Sequence, residues 1–118
     1  MKTVLIIDDE PAIRLLYQSE VEAAGFRVIT ASNPTEARRL LEHETPDIIT
    51  LDIRMDDSTD GITFLMELRG AGIRTPVVIV TAYDIYQYDF SSWAADEYLL
   101  KSGDTQALIS TIQRLTRD

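Results

Sequence analysis

The sequence predicts an α/β fold in which five parallel strands form one doubly wound sheet with five helices on its faces. Three observations predict it. Apolar, β-rich runs recur at 3–7, 26–30, 47–51, 76–80 and 97–100, the first of them pure enough to be buried on both faces. Between the runs lie segments whose apolar residues recur at three- and four-residue spacing. Strand and helix patterns that alternate in this way mean βαβ units and a parallel sheet.

The elements follow in order. The first strand, in "VLIIDDEP", runs straight into Asp8, Asp9 and Glu10. A helix then starts at Pro11, whose missing N–H is harmless there, and stops before Gly25. Ile13, Leu16, Tyr17, Val21 and Ala24 form its apolar stripe. The second strand ends at Ala31 and Ser32, and "NPTEARRLL" opens the next helix. There Asn33 caps, Pro34 takes the first helical position and Glu36 completes a capping box.

Asp52 follows the third strand, and a helix over Ile62 to Ala71 turns Phe64, Leu65 and Leu68 inward before Gly72. Thr81 follows the fourth strand. A shorter helix begins at Asp84, with Gln87 as its reciprocal cap. Its Tyr86, Phe90 and Trp93 share a core-facing stripe, while Ile85 and Tyr88 lie on another face and mark a contact surface. The fifth strand leads to Lys101, and the last helix, capped by Asp104, buries Leu108, Ile112 and Leu115.

Composition narrows the function. A chain of 118 residues buries roughly two-thirds of its unfolded surface around a single core. With no linker, repeat or low-complexity segment, residues 1–118 read as one domain. The net charge of −9, with no block of Lys or Arg, argues against a phosphate backbone as ligand. No apolar run is long enough to span a membrane and no signal peptide is visible, so no membrane partner is expected. The lack of cysteine fits a cytoplasmic protein. Met1, and a close just after the last helix, suggest a chain that stands alone.

In a doubly wound parallel sheet, ligands bind beyond the carboxyl ends of the strands. Those ends carry Asp8 and Asp9, Asp52, Thr81 and Lys101. Three carboxylates brought together repel, and a hard, oxygen-seeking divalent cation such as Mg2+ relieves the repulsion while keeping waters for a phosphoryl oxygen. Lys101 adds a point charge and Thr81 a hydroxyl donor. Such a site suits a phosphoryl group, where catalysis is mostly positioning and charge neutralisation. Asp52, at its centre, can act as the nucleophile and form an acyl phosphate. Each acid alone reads equally well as a helix N-terminal or turn residue; their joint placement does not.

These residues resemble the receiver domain of two-component response regulators, over Thr3 to about Leu115. The resemblance implies a flavodoxin-like fold with strand order 2-1-3-4-5. It implies that "LIIDDEP" supplies the acidic pair, with Asp9 a direct Mg2+ ligand and Asp8 acting largely through water; Mn2+ can substitute. "DIITLDIRM" supplies Asp52 as phosphoacceptor and metal ligand, and the backbone carbonyl of Arg54 as a further ligand. "VVIVTAY" supplies Thr81, which moves toward the phosphoryl group, and "DEYLLK" supplies Lys101 and the switch aromatic Tyr98. The implied donor is a histidine kinase or phosphotransfer protein, and an unidentified downstream protein reads the output surface. That surface comprises the helix from Asp84, the fifth strand and the last helix, with Ile85, Tyr88 and Tyr98. Such a domain catalyses only its own phosphoryl transfer and autodephosphorylation.

The chain departs from the family pattern in three places. Ser102 replaces the usual proline after the lysine, and without proline a cis bond there costs about 2.5–4 kcal/mol, so trans is expected. The loop "RMDDSTDG" lacks the usual proline and is one residue longer before Gly61, and the stretch from Thr81 to Lys101 is about two residues short. The altered loops keep open a degenerate receiver that signals by binding alone. An Asp-nucleophile phosphohydrolase needs a second acid two residues after Asp52, where Arg54 stands. A flavin carrier needs a Ser, Thr and Gly-rich loop after the first strand, where the chain is acidic. His43, the only histidine, sits at a helix end and reads as a dipole partner rather than a relay group.

Overall fold

The computed structural model describes residues 1–53, 58–82, 95–101 and 104–117. The chain order is β1 (Thr3–Ile7), α1 (Pro11–Ala23), β2 (Arg27–Ala31), α2 (Pro34–Leu41), β3 (Ile48–Asp52), α3 (Ser58–Gly70), β4 (Val77–Thr81), β5 (Glu97–Leu100) and α4 (Gln106–Leu115). The strands form one parallel sheet in the order β2-β1-β3-β4-β5, the order the resemblance implies. Four helices occur among the described residues where five are expected. The expected helix from Asp84, with Ile85, Tyr86, Tyr88, Phe90 and Trp93, lies outside the described residues, as do Arg54 and Ser102.

Burial explains the strand order. β1, β3 and β4 are buried along nearly their whole length, whereas β2 and β5 are only half-buried, as edge strands must be. Side chains alternate between two layers, as a pleated strand dictates. Leu5, Ile7, Ile49, Leu51 and Ile79 meet Ala37 of α2 and Phe64, Leu65 and Leu68 of α3. Val4, Ile6, Ile48, Val78 and Val80 meet Tyr17 and Val21 of α1 and Leu108 and Ile112 of α4.

The helix ends follow local chemistry. Asn33 caps α2 by accepting the Glu36 N–H at 2.8 Å. Glu36 reaches back one residue further than a capping box requires, taking the Ser32 N–H and hydroxyl at 2.6 Å each. Asp104 accepts the Gln106 N–H at 2.9 Å at the start of α4. Gly25 (φ +100°) and Gly72 (φ +81°) turn the chain out of α1 and α3 through angles disfavoured by other residues. In α4, Leu108 and Ile112 are buried as expected, while Leu115 is half-buried.

Several element bounds differ from the sequence reading. β2, β3 and β4 begin and end one residue later, so Asp52 and Thr81 are the last residues of their strands. Both still face polar partners at the rim, where the ladder and the apolar run part company. α3 begins at Ser58 rather than Ile62. Its first turn carries no apolar spacing for a periodicity search to register. At Gly61 α3 approaches β3 so closely that an added Cβ would stand 3.1 Å from the Ile53 side chain and 3.3 Å from the Asp52 carbonyl oxygen.

Candidate phosphoryl and metal site

Strand register assembles the site. Ile7 pairs with Leu51, so Asp8 and Asp52 each stand one residue further along neighbouring strands. Asp52 pairs with Val80, and Thr81 with Leu100, which places Lys101 one step beyond Thr81 on the next strand. The Lys101 N–H donates to the Thr81 carbonyl at 2.7 Å and fixes that step.

Asp8 is held from four directions. Its N–H donates to Ala31 O at 3.1 Å, extending the β1–β2 ladder. Its carbonyl accepts from Arg14 Nη1 at 2.7 Å. Its Oδ1 accepts the Glu10 N–H at 2.9 Å, and its Oδ2 lies 3.1 Å from Lys101 Nζ. The α1 N-cap residue, Glu10, makes no side-chain cap, because its carboxylate goes instead to Lys101 at 2.7 Å. Asp52 Oδ1 lies 3.3 Å from the same ammonium. Thr81, fully buried, donates its hydroxyl to Ile53 O at 2.7 Å.

Carboxylate oxygens of Asp8, Asp9, Glu10 and Asp52 all lie within 4.8 Å of one another. Four acids thus gather at a rim where Lys101 pairs with three of them, and the electrostatics show the imbalance. Burial pushes the Asp8 carboxyl above its ordinary value, with the Glu10 N–H and Lys101 offsetting only part of the rise. Burial and then the Asp8 charge push Asp52 up to about 7, against the pull of Lys101. Burial alone would lower Lys101; Glu10, Asp52 and Asp8 outweigh it and hold the ammonium above its ordinary value. A shift of this size on Asp52 costs about 4 kcal/mol when the group ionises, which two or three buried Ile or Leu side chains offset.

Hard oxygen donors short of positive charge fit a divalent cation such as Mg2+. The structure therefore brings together Asp8, Asp9, Asp52 and Lys101, and sets Thr81 on the adjacent strand end. Tyr98 lies on β5, half-buried against the layer beneath α2 and α3. His43 lines a groove of about 450 Å³ with Thr30, Glu36, Arg39, Leu40 and Glu42, beside α2 rather than at the rim. Sequence reasoning gave Glu10 no role at the rim and did not single out Arg14 or the Ile53 carbonyl. The third acid of "DDE" is the one signal that was available for them.

The model for the response regulator receiver domain matches residues 4–113. Among curated proteins, the alkaline phosphatase synthesis transcriptional regulatory protein PhoP of Bacillus subtilis is 33% identical over 119 residues, covering 98% of this chain and 49% of its own length. The regulatory protein AtoC of Escherichia coli is 34% identical over 113 residues, covering 94% of this chain and 24% of its own. The chain thus spans half or less of these relatives. Among solved structures, the response regulator TrrA of Thermotoga maritima in complex with Mg2+–BeF superposes with a TM-score of 0.88 at 36% identity, covering 98% of this chain and 99% of that one. A structure of the histidine kinase ThkA in complex with TrrA matches at 0.87 and 36% identity, covering 99% and 100%.

Proposed function

The chain belongs to the response regulator receiver family, and on that premise we propose that it is a phosphorylation-controlled signalling module whose phosphoacceptor is Asp52. One observation carries the reading: Asp52, with a side chain only 5% exposed, stands between three other carboxylates and the Lys101 ammonium at the carboxyl end of the sheet. An Asp52 oxygen attacks phosphorus and forms a P–O bond, while the P–N bond of a donor phosphohistidine breaks and the imidazole nitrogen keeps its electron pair. Lys101 neutralises charge on the phosphoryl oxygens. Thr81 exchanges the Ile53 carbonyl for a phosphoryl oxygen as its hydroxyl's acceptor. Water later hydrolyses the acyl phosphate, so the domain turns over no substrate but its own phosphoryl group.

Asp8, Asp9 and Asp52, with the Arg54 carbonyl, would hold Mg2+ or in its place Mn2+, which supplies charge neutralisation at the phosphoryl oxygens. The TrrA complexes with Mg2+–BeF and with a histidine kinase support both the metal and the class of donor. A histidine kinase draws its phosphoryl group from ATP, from which we infer that this module works in the cytoplasm. No described helix is long and apolar enough to cross a membrane. Ile85, Tyr88 and Tyr98 then form the surface that a downstream protein reads. Incubation with phosphoramidate and Mg2+ tests the site. Intact mass should show one labile phosphoryl adduct, absent from Asp52→Ala; labelling retained in that variant would overturn the assignment.

A further inference from the structure

Glu10 is the one rim carboxylate to which the proposed chemistry gives no task. Its side chain is 54% exposed, yet it makes the shortest of the three contacts to Lys101: 2.7 Å, against 3.1 Å for Asp8 and 3.3 Å for Asp52. At the N-cap of α1 its carboxylate is free of capping duty. Its backbone is fixed by the N–H donated to Asp8. The contact therefore ties the start of α1 to the end of β5, 91 residues away in sequence.

We propose that Glu10 is a positioning residue: it restrains the Lys101 ammonium in the unphosphorylated protein and gives it up to the phosphoryl group on Asp52. This rests on the reading of Asp52 as phosphoacceptor. An ammonium has three N–H donors, and here three carboxylates face it. To reach a phosphoryl oxygen, Lys101 must leave one of them. Asp8 is buried and pinned by the Glu10 N–H, and Asp52 is the reacting group. Glu10 alone can swing into water, where a released carboxylate is resolvated at small cost. The restraint is therefore soft, and it tunes how readily Lys101 engages the incoming group without blocking it.

The test compares wild type, Glu10→Ala and Glu10→Asp, each also in a Lys101→Ala background, with circular dichroism confirming the fold. The readouts are the rate of phosphoryl incorporation from phosphoramidate at saturating Mg2+ and the Kd for Mg2+. Glu10→Ala should react about twofold to fivefold faster, the size of a half-exposed ion pair. Glu10→Asp, which keeps the charge on a shorter arm, should fall between. Mg2+ affinity should stay unchanged, and in the Lys101→Ala background the gain should vanish, because no ammonium is left to release. An unchanged rate, a weakened Mg2+ affinity (Glu10 as ligand) or an equal gain without Lys101 (general repulsion) would each overturn the proposal. If wild type itself takes no label at Asp52, the functional reading fails with it; if wild type labels normally and Glu10→Ala matches it, the restraint alone fails.

Discussion

Neutralising Asp52 should stabilise the metal-free protein, and the gain should depend on pH in a direction set by the site. The Asp52 carboxyl is raised from 3.8 to about 7, first by burial and then by the Asp8 charge. Between these values the native state keeps a proton that the unfolded chain has lost. Stability from this group therefore falls as pH rises through the window, by about 1.4 kcal/mol per unit, and the full loss of about 4 kcal/mol is present above about pH 7. Asp52→Asn keeps the shape, can still offer Lys101 an oxygen, and removes the charge. Urea unfolding in EDTA, followed by circular dichroism, should show the variant more stable than wild type by up to about 4 kcal/mol at about pH 8 and nearly equal to it at about pH 4. Taking the difference between the two proteins cancels Glu36 and Glu44, whose carboxyls are lowered by Ser32 and Arg27 and act in the opposite sense. Equal midpoints at the higher pH, or the same gain at both, would refute the account of Asp52 as a carboxylate whose ionisation is made costly by burial and by the Asp8 charge.

Three further outcomes follow from the same geometry. Millimolar Mg2+ should raise the melting temperature of wild type, by about 1.4 kcal/mol of stability once Mg2+ is about tenfold above Kd, and Asp9→Ala should lose most of that rise; an equal rise in both would remove Asp9 from the ligand set. Gly61→Ala should destabilise by about 1–2 kcal/mol despite alanine's better helix propensity, because its Cβ meets Ile53 and the Asp52 carbonyl at 3.1 and 3.3 Å; a more stable variant would mean the β3–α3 junction yields. Asn33→Ala should cost about 1 kcal/mol through the lost α2 cap, seen as a lower urea midpoint, with phosphoryl incorporation unchanged because Asn33 bonds Ser32 and Glu36 rather than any of the proposed site residues.

What the sequence makes legible here is whatever depends on strand interiors. Runs such as "VLII" and "VVIV" are buried on both faces, as strands of a parallel sheet covered by helices on both sides are, so fold class and the list of rim residues follow together. The single-residue shift of β2, β3 and β4 was not legible, because a ladder continues as long as N–H and C=O groups stay aligned and takes no account of where an apolar run stops. Asp52 and Thr81 are polar and still paired within strands. α3 shows the same limit from the other side: it begins at Ser58, four residues before the apolar spacing does, and Gly61 carries no side chain for that spacing to register.

The third acid shows where composition and geometry part. In sequence, Asp8, Asp9 and Glu10 are equivalent negative charges, and a count of acids assigns them one role. In the fold, a strand end and a helix start intervene between them. Asp8 still belongs to the β1 ladder and is buried. Asp9 and Glu10 lie past the ladder and are exposed. Glu10 reaches back over the rim only because α1 begins at Pro11, which cannot donate an N–H and leaves the preceding residue extended. Three consecutive carboxylates thus acquire three environments from one change of backbone direction. It is the environments, through burial and through the distances of Asp8 and Glu10 to Lys101, that separate a buried anchor from the proposed solvent-side ligand and the proposed soft restraint.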